Sequence, residues 1–156
     1  MSIANTIKSF LDQQSISYEL ISHAHTHSSM ESAGVTHVAS SQMAKAVIVK
    51  EEEDYMMVVL PCDERVHMGR LHHFLGHDVG LATERELVSL FPDCEGGAIP
   101  PLGMAYHLKT LVDESLLERP VVYFESGDHE HLVKVTGEQF MQLFGDAEHI
   151  NVARHH

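Results

Sequence analysis

Ile3, Ile7, Phe10 and Leu11 recur at helical spacing between Ser2 and Gln14, predicting an amphipathic helix. From Ser15 to His23 the pattern switches to alternation, with Ile16, Tyr18 and Leu20 on one side, as in a strand. Ser28-Ser29-Met30-Glu31 forms a capping box, so a short helix should run to about Val35. The aliphatic runs Ala46–Val49 and Tyr55–Leu60 flank the acidic turn Glu51-Glu52-Glu53-Asp54 and predict a β-hairpin. A helix is expected within Asp63–Phe74, ending near Gly76. Another should open at the capping box Thr83-Glu84-Arg85-Glu86 and stop before Pro92. Glycines and prolines make Glu95–Gly103 a loop. Strands are expected over Met104–Val112, Val121–Glu125 and Leu132–Val135. Thr136 then caps a final helix through Phe144. Strands in hairpins and strands between helices together predict a mixed α/β, α+β-like class.

At 156 residues the chain suits a single domain, expected over residues 1–150 with a tail over 151–156. No apolar run is long enough to span a membrane, and the apolar stretch near the start is too broken for a signal peptide. Two cysteines, Cys62 and Cys94, make neither a disulfide framework nor a metal-ligand spacing. A reducing, cytoplasmic setting is the expectation. Ten Lys and Arg against 23 Asp and Glu leave a net charge of −13, with 14 histidines neutral. Such a chain displaces counterions from phosphate poorly, so duplex DNA is excluded as an expected partner. Any anionic ligand has to be met locally.

The run His23-Ala24-His25-Thr26-His27 can place three imidazoles on one face of a strand, as in three-histidine zinc sites. No His-Glu-x-x-His accompanies it, nor the carboxylates that orient metal-bound histidines. Nucleophile-elbow and phosphate-loop motifs are also missing. Three other pieces carry chemistry. Ala44-Lys45 opens an aliphatic strand, where an ammonium is costly unless it reaches water or an anion. Gly97-Ala98-Ile99-Pro100-Pro101-Leu102-Gly103 is a rigid loop able to present backbone N–H groups to an oxyanion. Glu125-Ser126-Gly127-Asp128-His129 fills a turn between two strands.

In this order and spacing, over about Ile3 to Phe144, the pieces resemble the YbaK/prolyl-tRNA-synthetase-associated editing domain family. The resemblance rests on the His/Ser segment with its short helix at Ser28–Gly34, Ala44-Lys45, the G-x-x-x-P loop from Gly97 to Pro101, and the Gly127-Asp128-His129 turn. It implies a single domain with a curved, largely antiparallel sheet flanked by helices. The implied activity is hydrolysis of the ester joining a wrong amino acid to the tRNA 3′ adenosine, without metal or cofactor. Lys45 then matches the lysine that holds the 3′ end, Gly97 and Pro101 match the family loop, and His129 matches a histidine of some members. Asp128 departs from a more usual Ser or Thr.

An aminoacyl ester is already activated, so orientation, a placed water and oxyanion stabilisation suffice. Met30, Val47 and Met104 are the candidate apolar wall of the amino-acid pocket. His25, Ser28, Gly127, Asp128 and His129 are the candidate polar contacts. The expected partner is the 3′ end of a mischarged tRNA, delivered by a synthetase or elongation factor. Two alternatives remain open: a metal-dependent hydrolase built on His23, His25 and His27, and a non-catalytic module that binds aminoacyl-tRNA or a synthetase.

Overall fold

The computed structural model describes residues 4–151 and 153–155. Ser2 and Ile3, part of the expected first helix, and His156 of the expected tail lie outside the described residues. Among the described residues, six α-helices accompany an eight-stranded mixed sheet. The helices are α1 (Asn5–Gln13), α2 (Ser29–Thr36), α3 (Met68–Leu75), α4 (Glu84–Leu90), α5 (Glu114–Leu117) and α6 (Gly137–Phe144). The strands are β1 (Glu19–Ser22), β2 (Met43–Glu51), β3 (Asp54–Pro61), β4 (Glu64–Val66), β5 (Gly80–Leu81), β6 (Lys109–Asp113), β7 (Val121–Glu125), β8 (His131–Thr136), β9 (Glu148–Ile150) and β10 (Ala153–His155). The main sheet runs β1-β8-β7-β2-β3-β6-β9, with β5 also on β2.

The hairpin of β2 and β3 is its spine, in register from Ala44↔Pro61 to Glu51↔Asp54. From Met56 to Pro61 β3 is apolar and buried because both of its faces are covered. Met57 and Val59 face a large core that includes Ile7 and Leu11 of α1, Leu116 of α5, and Phe140 and Phe144 of α6. Met56, Val58 and Leu60 face a second core with Leu71 of α3. The expected largely antiparallel sheet is sharpened to a mixed one: β7–β2, β3–β6 and β6–β9 pair in parallel. The segment from Met104, expected as strand, begins instead as a 3₁₀ turn over Gly103–Tyr106 and becomes strand only at Lys109. The expected tail also takes part in the fold, since β10 pairs antiparallel with β4.

One detail positions the site. β2 carries β7 along one edge only at Met43 and Ala44, and β5 along that edge only at Val49 and Lys50. Over residues 45–47 that edge has no ladder partner among the described residues. A cleft opens there.

Candidate functional site

The cleft has a volume of about 390 Å³. Lys45 and Ala46 of β2, Ser28, Ser29 and Met30 at the start of α2, and Cys62 after β3 form one part of its wall. Glu84 and Leu87 of α4, with Gly97 and Ile99 of the following loop, complete it. Ser28 is held by its own role as N-cap, its hydroxyl accepting from the Glu31 N–H at 3.1 Å. Lys45 is half-buried. Burial pushes its ammonium below the usual lysine range, opposed by Cys62, Asp63 and Glu64 nearby. The described lysine salt bridges belong to Lys50, Lys109 and Lys134, which leaves the Lys45 charge available to an anion.

The Gly97 loop is fixed by close approach rather than by regular structure. Gly97 has φ +80°, and a Cβ there would lie 2.8 Å from the His27 carbonyl oxygen, so only glycine fits. Glu95 N–H donates to the Gly127 carbonyl at 2.8 Å, and His129 Nε2–H donates to the Gly96 carbonyl at 2.7 Å. Pro101 is buried at the end of the loop. Among the described residues the N–H groups of Gly97 and Ile99 donate to no other residue. Lys45, Gly97 and Ile99 thus line one cleft, with the two backbone N–H groups unspent, an arrangement suited to a developing oxyanion and a phosphate.

Beneath the loop lies a buried polar cluster. Thr26, Ser32, Glu125, Ser126, Asp128 and His129 are each at most 2% exposed. Thr26 and Ser32 hydroxyls are 2.6 Å apart, and Glu125 Oε2 lies 2.9 Å from His129 Nδ1. Burial pushes Glu125 up to about 7, against the opposing pull of the Ser32 hydroxyl and His23. Asp128 is spent on its own turn: Oδ1 accepts from Ser126 Oγ and from the Glu130 and His131 N–H groups, and Oδ2 meets His131 Nδ1 at 2.7 Å. Burial raises Asp128, but these bonds outweigh it and hold the carboxyl below its usual range. Gly127, at φ +108°, makes the turn against Ala4, 3.0 Å from where a Cβ would stand.

The structure thus brings Lys45, Gly97, Ser28 and Met30 to one cleft. His129, Gly127 and Asp128 stand behind the loop rather than in the cleft wall. His25 lies outside the wall too, bound to Glu95 Oε2 at 2.7 Å, with its ring 5.8 Å from that of His129. The Glu95 hydrogen bond raises the His25 pKa. Val47 packs into the second core, and Met104 lines a separate depression with Phe10 and Leu108. The apolar wall expected of Val47 and Met104 is supplied instead by Cys62, Leu87 and Ile99. Glu125, Thr26 and Ser32 escaped the sequence reading. The one signal for Glu125 was an acidic residue closing an aliphatic strand, four residues before His129.

No group of three or more His, Cys, Asp or Glu among the described residues is arranged to hold a metal ion. Burial pushes the Cys62 and Cys94 thiols up to about 12, so neither supplies a thiolate at neutral pH. No described helix is long and apolar enough to cross a membrane.

Known proteins extend these observations. The crystal structure of a hypothetical protein is similar at a TM-score of 0.84 and 24% identity, covering 96% of this chain and 100% of that one. A candidate trans-editing enzyme for prolyl tRNA synthetase is similar at 0.83 and 21%, over 97% of this chain and 96% of that one. A candidate signal transduction protein from Marinobacter aquaeolei VT8 shares the fold at 0.80 and 16%, over 97% of this chain and 31% of that one. No curated protein matches the sequence. The model of the aminoacyl-tRNA editing domain matches residues 23–143, which include Lys45, the Gly97 loop and the His129 turn. The chain belongs to the aminoacyl-tRNA editing domain family.

Proposed function

We propose that this chain is a trans-acting aminoacyl-tRNA deacylase that hydrolyses the ester of a mischarged amino acid on the tRNA 3′ adenosine. The observation that carries this reading is that Lys45, Gly97 and Ile99 line one cleft while the Gly97 and Ile99 N–H groups have no acceptor among the described residues. Lys45 holds a phosphate oxygen of the terminal nucleotides as a point charge. Water, oriented by the neighbouring ribose hydroxyl, adds to the ester carbonyl carbon as that hydroxyl takes the water's proton and passes its own toward the ester's ribose oxygen. The loop amides take the resulting oxyanion. The tetrahedral intermediate then collapses, and the ribose oxygen leaves with the proton. Free amino acid and an uncharged tRNA 3′ end result. No protein nucleophile is required, in keeping with the protonated Cys62 thiol at the cleft.

The side chain of the amino acid lies against Met30, Ala46, Cys62, Leu87 and Ile99, a wall that favours a small residue. One methylene in such a pocket is worth about 1–3 kcal/mol, enough for a second sieve after a synthetase's first. Contact is confined to the single-stranded 3′ end, and a synthetase or elongation factor presents the tRNA, in the cytoplasm. Lys45→Ala should slow single-turnover deacylation by at least about tenfold. A rate within about twofold of wild type would remove Lys45 from the mechanism.

A further inference from the structure

Glu125 and His129 form a buried pair that the chemistry above does not yet use. His129 Nδ1 lies 2.9 Å from Glu125 Oε2, while Nε2 lies 2.7 Å from the carbonyl oxygen of Gly96, one residue before Gly97. Both side chains are at most 2% exposed. A carbonyl can only accept, so Nε2 must carry a proton for this contact to hold. Nδ1 then either carries a second proton and faces ionised Glu125, or is bare and accepts from protonated Glu125. In both states the pair is neutral, and Nδ1 and Oε2, buried at an ion-pair distance of 2.9 Å without an aligned hydrogen bond, have no hydrogen-bond partner elsewhere among the described residues. Removing the proton leaves a neutral imidazole with one N–H for two acceptors. The buried carboxylate claims it, and the Nε2 lone pair turns on the Gly96 carbonyl.

We propose that Glu125 is a positioning residue: the proton it shares with His129 keeps Nε2–H on the Gly96 carbonyl and so holds the Gly97 loop amides at the cleft. This rests on the deacylase reading for its consequence in rate, but not for its geometry. The surroundings favour a single shared proton. His23, Cys62, Glu95 and Asp128 are the titratable groups acting on Glu125 beside His129, and the two carboxyls among them oppose its ionisation. The Ser32 hydroxyl, itself bound to Thr26, is the neutral group that faces it. His25 reaches the ring of His129 only edge-on, so it does not replace either contact.

The sign of the pH effect follows. Loss of the shared proton loosens the loop, so the deacylation rate above the spontaneous background should fall as pH rises from about 6 to about 9. Glu125→Gln places an amide N–H against Nδ1 at every pH, fixing the proton on Nε2. It should keep the wild-type rate at the acid end within about threefold and abolish the alkaline fall. Glu125→Leu leaves Nδ1 without a partner and should lower kcat about 10–100-fold with little change in KM. Imidazole ¹⁵N shifts supply a reading independent of activity. They should show His129 protonated on Nε2 in Glu125→Gln throughout, and in wild type with that proton moving to Nδ1 at the alkaline end. An unchanged alkaline fall in Glu125→Gln, full activity in Glu125→Leu, or a wild-type imidazole bare at Nε2 at neutral pH would overturn the proposal. If wild type hydrolyses no aminoacyl-tRNA, the deacylase reading fails, while the ¹⁵N shifts still judge the pair.

Discussion

Single residues were legible in the sequence where local chemistry made them anomalous. Lys45 stands out as a charge opening an aliphatic strand, and Gly97 and Pro101 as parts of a loop too rich in glycine and proline to be regular. Glu125 was illegible for the opposite reason. Its neighbours are Ser32 and His129, and His129 in turn holds the loop carbonyl of Gly96, a set that only the folded chain brings together. Val47 and Met104 were misjudged by geometry: Val47 packs into the core on the α3 side of the sheet, and Met104 sits in a 3₁₀ turn by another depression. Gly97 offers the sharpest test at this scale. Alanine there adopts a left-handed φ and drives its Cβ toward the His27 carbonyl, a conflict worth about 1–3 kcal/mol. Gly97→Ala should therefore lower the unfolding free energy by that amount in denaturant titrations. It should also reduce deacylation more than the stability loss explains if the displaced amide takes the oxyanion as proposed.

At the scale of elements, caps were easier to foresee than short strands. The boxes at Thr83 and Thr136 form with both reciprocal bonds, whereas at α2 the expected box is met by its Ser28 half, the hydroxyl accepting from the Glu31 N–H. By contrast β4, β5, β9 and β10 span two or three residues each, too few for any alternation to be read. They exist because neighbouring strands offer unpaired edges. The cap at Thr83 also bears on the site, since α4 carries Glu84 and Leu87 into the cleft. Glu86 completes the box and receives the Tyr55 hydroxyl and Lys50 ammonium besides. The Tyr55 bond first, then the Thr83 amide and Lys50, hold its carboxyl down to about 2. Thr83→Ala removes the Thr83 Oγ1 acceptor of the Glu86 N–H and should destabilise the protein by about 1 kcal/mol, measurable as a shift in denaturant midpoint at constant slope.

The whole molecule carries a charge of −13, yet its cleft is lined by Lys45, without a salt bridge among the described residues, and by Gly97 and Ile99, whose amides are unspent. On the proposed reading, a body so acidic would repel most of a tRNA and leave affinity to a few local contacts at the 3′ end. The fold serves that economy. β7 and β5 leave a gap along β2, the Gly97 loop closes over it, and the buried Glu125–His129 pair anchors the loop from behind. The proposed activity of such a site is on an ester already activated, attached to a small side chain. The measurement that tests this most directly is a deacylation panel, with purified protein and tRNAs separately charged with alanine, serine, threonine and cysteine. Ester hydrolysis of at least one mischarged tRNA should proceed well above its spontaneous rate, releasing free amino acid and intact tRNA. Spontaneous rates for the whole panel, at enzyme in excess over tRNA, would contradict the account.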